Sequence, residues 1–228
     1  MTVRDVKKEI RGIIFDLDGT LLEAYEAIYL GMGEVFRTFG KPLFPPGDLR
    51  RHLKADLQAT LAPFLSPEET SKAISIFRKR YEEVYLEKTH FLDGAKEILN
   101  SLHRQGMVLA VASNKLGLFS RKVLAHLGVA GYFQSILGAG DGHRNKPFPD
   151  MIQASLKEME LPPEEVVFVG DSLEDIQAGR EAGVDVYALP TGVHSKEELA
   201  TGRPKRILRS LEDLIPLVQR SKQPLPSS

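Results

Sequence analysis

Short apolar runs alternate along this chain with longer segments whose apolar positions recur at helical spacing. Gly12-Ile13-Ile14-Phe15 is the first such run, and Met107 to Ala112 the second. Ser135-Ile136-Leu137, Val166 to Val169, Val184 to Leu189 and Arg206-Ile207-Leu208 complete the set. Runs with no polar alternation suit strands buried on both faces, as in a parallel sheet. Between them, Ala95 to Gln105 puts Ile98, Leu99 and Leu102 on one helical face, with Gly106 suited to its C-terminus. Ser120 to Leu127 and Pro149 to Glu160 read the same way. Strand and helix in alternation predict an α/β protein with a doubly wound parallel sheet, a Rossmann-like core.

One stretch departs from that rhythm. From Glu23 to about Phe91 no run reads as a strand, and helical patterning is broken by Gly40, Pro42, Pro45-Pro46-Gly47, Pro63 and Ser66-Pro67. Ser66-Pro67-Glu68-Glu69 has the form of a helix start, with Pro in the first turn and acids beside it. The pattern predicts an α-helical domain inserted after the first strand: core at 1–22 and 91–220, insertion at 23–90, and a frayed polar tail at 221–228.

Composition narrows the function. Thirty Lys and Arg against 31 Asp and Glu leave a net charge of −1, which argues against a nucleic-acid partner. The chain has no cysteine, so disulfides, thiolate metal sites and cysteine nucleophiles are excluded. No apolar run approaches the ~18 residues of a membrane span. The opening residues lack a signal-peptide core, so the expectation is a soluble cytoplasmic protein, monomer or homodimer, with no membrane partner.

The polar residues that end the apolar runs carry the chemistry. In open parallel sheets, ligands bind beyond the carboxyl ends of the strands. The first run ends in Asp16 and Asp18, the second in Ser113 and Asn114, and the fourth in Asp171 with Asp175 close behind. Lys146 follows the third. Acids gathered at one edge need a counter-charge. With Asp18 protonated, a phosphate dianion beside Asp16 and Asp171 sums to about −4, and Mg²⁺ with Lys146 returns about +3. A carboxylate is ionised at neutral pH, so Asp16 needs no base to attack phosphorus. Asp18 is placed to give the leaving oxygen its proton and later to activate water. Ser113 and the Asn114 backbone can bond phosphoryl oxygens, and Lys146 can stabilise the charge spreading over them. Gly19 and Thr20, in the same turn as Asp16, are candidate substrate-binding residues.

Four motifs in order resemble the haloacid dehalogenase superfamily, specifically phosphatases related to phosphoglycolate phosphatase. They are Asp16-Leu17-Asp18-Gly19-Thr20-Leu21, Ser113-Asn114-Lys115, Lys146-Pro147-Phe148-Pro149-Asp150 and Gly170-Asp171-Ser172-Leu173-Glu174-Asp175. The resemblance implies that Asp16 is phosphorylated and that Asp18 is the acid/base. It implies that Mg²⁺ meets Asp16, the Asp18 backbone carbonyl and Asp171, with Asp175 binding or orienting the metal. The insertion occupies the position of the family's helical cap. A cap can close over the site and choose the leaving group.

The expected partner is a small phosphorylated metabolite of phosphoglycolate type. Arg51 and Lys54, in the most cationic stretch of the insertion, are candidates for reading its anionic end. The chain departs from many relatives in following its first motif with Glu23-Ala24 rather than Asp-Ser, and in having Leu53-Lys54-Ala55 where a glycine is common. A β-phosphoglucomutase or a phosphonate hydrolase is the alternative within the superfamily. From a different class, a phosphoacceptor signalling domain combines similar residues but has neither the early Asp pair nor a helical insertion. No Gly-x-Gly-x-x-Gly follows the first strand, which disfavours a dinucleotide site.

Overall fold

The structure is a computed structural model and describes residues 9–54 and 56–218. The tail expected at 221–228 lies outside the described residues, as do both extreme ends of the expected core segments and Ala55. The chain enters through β1 (Gly12–Phe15) and a tight turn into β2 (Leu22–Glu23). It then runs through α1 (Tyr25–Thr38), α2 (Leu49–His52), α3 (Leu57–Leu61) and α4 (Pro67–Lys88), returning in β3 (His90–Phe91). Next come α5 (Ala95–Arg104), β4 (Val108–Leu116), α6 (Gly117–His126), β5 (Phe133–Ala139) and α7 (Asp150–Met159). The chain closes with β6 (Val166–Gly170), α8 (Leu173–Glu181), β7 (Asp185–Ala188), α9 (Lys196–Thr201), β8 (Arg206–Ile207) and α10 (Ile215–Val218).

Six strands form one parallel sheet in the order β5-β4-β1-β6-β7-β8. The two-residue period of a strand explains how continuous apolar runs serve two cores. Ile13 and Phe15 face one side with Leu109, Val111, Val167 and Val169, covered by α5 and α6. Ile14 faces the other with Ala110, Ala112, Val166 and Phe168, covered by α7 and α8. All six predicted runs are strands of this sheet. The chain winds outward from β1 first to β4 and β5, then across to β6, β7 and β8. The tips of β1, β4 and β6 therefore flank the point where the winding reverses, where such sheets bind ligands.

The helical excursion differs from expectation at both ends. Leu22 pairs with Phe91 and Glu23 with His90, so a two-stranded antiparallel ribbon carries the chain out and back. Two-residue strands are too short to leave a periodic signal. Helix α4 starts as predicted, with Ser66 and Glu69 in a reciprocal capping box and Pro67 at its first position. Helix α1 instead follows Ala24, which has no capping side chain, and Glu23 accepts from the Tyr25 N–H at 2.8 Å. The excursion has a core of its own, built on Met32, Val35, Phe36, Leu49 and Leu61. The last turns of α4 do not join it: Tyr81, Val84 and Tyr85 pack into the cluster on the sheet. Among the described residues, no helix is long and apolar enough to cross a membrane.

Candidate active site

Asp16 sits at the tip of β1, its N–H bonded to the Val169 carbonyl at 2.9 Å. The turn that follows closes on itself through Leu22 N–H to Leu17 O and Gly19 N–H to Leu22 O, both 2.8 Å. This projects Asp16 and Asp18 over the sheet edge. Gly19 has φ +85°, and a side chain there would press into the Asp171 carboxylate. A side chain at Gly192, in the loop after β7, would overlap the same carboxylate. Two glycines therefore let two loops close around one acid.

Three of the four candidate acids come together, and Asp18 stands apart, paired with Lys115. Asp16, Asp171 and Asp175 are buried and offer carboxylate oxygens that all lie within 4.8 Å of one another. Lys146, 3% exposed, places its ammonium 2.8 Å from Asp16 and 2.6 Å from Asp175. Burial alone would lower the Lys146 pKa, but Asp16 and Asp175 outweigh it and the value rises. Burial pushes the Asp16 carboxyl up, against the pull of Lys146. Asp171 goes well above the usual carboxylate range, first through burial and then through Asp175 and Asp16. Three buried carboxylates facing one ammonium are an arrangement short of positive charge.

Whether a divalent cation fits can be read from the oxygens. Asp16 Oδ1 is buried against the Lys146 ammonium at 2.8 Å, which leaves the carboxylate further lone pairs for a cation. Among the described residues, Asp171 accepts long bonds, 3.2 Å from the Thr20 hydroxyl and 3.3 Å from the Val193 N–H. Asp175 is fully engaged: one oxygen holds Lys146, and the other accepts from Asp171 N–H, Ser172 N–H and the Ser172 hydroxyl. An all-oxygen set with free lone pairs on Asp16 and Asp171 fits a hard cation such as Mg²⁺. Asp175, which also completes the capping box of α8, is built to position its neighbours.

The remaining candidates divide. Ser113 is buried at the end of β4 and bonds toward Asp16. The Asn114 side chain braces the Lys146 loop, accepting from Lys146 N–H at 2.8 Å and donating to its carbonyl at 3.0 Å. The buried Thr20 spends its hydroxyl on Asp171. Asp18 is held by a residue the sequence reading left without a role: Lys115 donates to its two oxygens at 2.9 and 2.7 Å. Lys115 lies where the pairing of β4 with β5 breaks register between Ser113 and Leu116, so strand alternation did not assign its side.

Above the strand tips lies a cavity of about 890 Å³, walled on its far side by the helical excursion. Arg51 and Lys54 both line it, joined by Arg50 of α2 and Arg78 of α4. Arg51 is 80% exposed and paired with Asp48 at 3.1 Å. Arg50 pairs with Glu23 at 3.4 Å and lies over the Tyr25 ring, 4.3 Å from its centre. His194 also lines the cavity, its Nδ1 buried without a partner.

A doubly wound sheet with an ammonium and a cation-hungry acid cluster at its switch point defines a hydrolytic α/β enzyme of the phosphate-handling kind. The comparisons with known proteins agree. The family model for haloacid dehalogenase-like hydrolases matches residues 13–189, and the chain belongs to that family. It is 31% identical over 222 residues to a phosphoglycolate phosphatase of Vibrio vulnificus, covering 93% of this chain and 97% of the relative. It is 32% identical over 174 residues to that of Aquifex aeolicus, covering 76% and 82%. The crystal structure of a predicted phosphoglycolate phosphatase from Haemophilus somnus superposes with a TM-score of 0.84 at 25% identity, covering 92% of this chain and 98% of that one. The chain is a phosphatase of this family.

Proposed function

We propose that this phosphatase is Mg²⁺-dependent, works through an aspartyl-phosphate on Asp16, and acts on a small phosphorylated metabolite of phosphoglycolate type. The observation that carries this reading is three buried carboxylates with oxygens within 4.8 Å of one another, facing one buried lysine at the mouth of a cavity. Asp16 attacks phosphorus while Asp18 protonates the departing oxygen, and Asp18 then takes a proton from the water that cleaves the acyl phosphate. Lys146 and Ser113 hold charge on the transferring oxygens. Bound between Asp16, the Asp18 carbonyl and Asp171, Mg²⁺ would supply the charge that lets a phosphate dianion approach. Residues 23–90 act as the cap and 1–22 with 91–220 as the core, the cap excluding water and presenting Arg51 and Lys54 to the substrate. The Vibrio and Aquifex relatives support phosphoglycolate as the first ester to try. The cavity volume favours a second reading, a β-phosphoglucomutase-like enzyme taking a sugar phosphate, which a requirement for a bisphosphate activator would reveal.

A screen of alkyl phosphates with Mg²⁺ identifies the ester. Mass spectrometry of acid-quenched turnover should then find one added phosphoryl group, on Asp16. A label elsewhere, or none at any quench time because water attacks directly, sinks the mechanism.

The raised Asp171 carboxyl gives an independent test of the metal. A carboxyl whose folded pKa exceeds its unfolded value of about 4 adds stability below that value and loses it as pH rises through the folded one. The ionised cluster is also the form that binds a cation. The difference in melting temperature between Mg²⁺ and EDTA is therefore expected to widen as pH rises from about 4 to neutrality. Scanning fluorimetry across that range checks it, and a constant or absent difference counts against a metal held here.

A further inference from the structure

We infer that Lys115, held in turn by Tyr81, is a positioning residue that latches the Asp18 carboxylate in its working orientation. The inference rests on the reading of Asp18 as the acid/base group. It concerns positioning only and moves no atom between groups.

Three observations carry it. The Lys115 side chain is 5% exposed, and its ammonium reaches the two oxygens of Asp18 and the Tyr81 hydroxyl. An ammonium has three N–H donors. The paired oxygens of Asp18 take one side of the ammonium and the Tyr81 hydroxyl another, so Lys115 is committed mainly within the protein. That separates it from Arg78, a cavity-lining cation on the same helix as Tyr81.

Tyr81, in turn, is fixed by α4. It is 3% exposed, stacked on Tyr85 with ring centres 5.5 Å apart, and 5.4 Å from Phe119 of α6. Its ring also lies 5.0 Å from the Lys115 ammonium. Tyr81 therefore cannot move without α4, the limb by which the helical excursion returns to the sheet. A second link runs through the main chain: Asp18 bridges to Leu22, the first residue of the β2–β3 ribbon. The Asp18 side chain is 30% exposed at the cavity wall, and unheld it would sample several rotamers. A general acid works only within hydrogen-bond reach of the leaving oxygen. Fixing its two torsions through Lys115 keeps the acid within that reach.

The competing explanation is a plain structural ion pair, in which Asp18 merely neutralises a buried lysine. The two differ in how loss depends on the leaving group. Esters of poor leaving groups need the proton of Asp18, whereas an activated aryl ester departs without it. The test uses the full chain with Mg²⁺, comparing K115M, K115R and Y81F with the unaltered protein. The substrates are the best alkyl phosphate from the screen and 2,4-dinitrophenyl phosphate. K115M should lower kcat on the alkyl ester by about 10²-fold, with KM little changed and the aryl ester losing less than about fivefold. K115R should recover part of the loss. Y81F, which keeps the ring and removes one oxygen, should show the same selectivity at roughly fivefold.

Equal losses on both esters would mark a structural pair and overturn the latch. A raised KM with unchanged kcat would show that Lys115 reads the substrate, and would overturn it as well. Should K115M fail to fold, as its melting curve would tell, Y81F decides alone by the same criterion. Failure of the underlying reading looks different: D18N would then lose no more on the alkyl ester than on the aryl ester.

Discussion

Asp16→Asn is expected to lower phosphate release by a factor on the order of 10⁵–10⁶, the scale seen when a covalent nucleophile is deleted from an otherwise intact site. The substitution is nearly isosteric. It keeps the backbone bond from Asp16 N–H to Val169 and leaves Ile13, Ile14 and Phe15 packed behind it. What it removes is a negative charge from a place where burial already disfavours one. The variant should therefore fold at least as well as the unaltered protein in EDTA. Its gain in melting temperature on adding Mg²⁺ should shrink, because one of the acids with free lone pairs is gone. Activity and stability thus move in opposite directions, which separates loss of chemistry from loss of fold. Steady-state assays, with mass spectrometry to exclude Asn deamidated back to Asp, make the measurement. Turnover within tenfold of the unaltered protein would show that Asp16 is not the attacking group.

The fold was legible because its central strands are buried on both faces, so β1 and β6 wrote uninterrupted apolar runs into the chain. The β2–β3 ribbon was not, since Leu22-Glu23 and His90-Phe91 are too short to show a period. At the site, the acids were readable from their place at the strand tips, where a polar residue ending an apolar run needs a reason. Their partners were less so. Thr20 and Asp171 are 151 residues apart, and nothing local tells a hydroxyl that will bond a carboxylate from one that will bond a substrate. Asn114 was read for its backbone, and no local pattern announced that its side chain would splint Lys146 across 32 residues. Tyr81 shares an i, i+4 face with Phe77 and Tyr85, so it reads as core, and its ring does pack there. Only the fold shows its hydroxyl meeting Lys115. Local patterns disclose which face a residue takes, whereas polar pairing is settled by contacts distant in sequence.

Those distant pairings converge on Lys146, and removing its charge is the second large effect expected. Its ammonium lies between Asp16 and Asp175, over the ring of Phe168 at 5.3 Å, with 3% of the side chain exposed. K146M keeps most of the buried length and removes the cation, leaving three buried acids with no positive partner. Breaking a buried pair in this way costs about 3–5 kcal/mol. For a protein of this size that is a fall in melting temperature of roughly 6–20 °C at neutral pH. The acids escape part of the cost by taking up protons, so the deficit should narrow on acidification. This is the sign required of carboxyls already pushed upward, whose stabilising contribution declines as pH rises. Saturating Mg²⁺ should also recover part of the lost stability, since a divalent cation replaces the missing charge. It should not recover turnover. A protonated Asp16 is no nucleophile, and the transferring phosphoryl group has lost the lysine that shared its charge. If K146M melted and turned over like the unaltered protein at neutral pH, the acid cluster would have to be neutralised by something other than Lys146. The account of how this site tolerates a phosphate dianion would then fall with it.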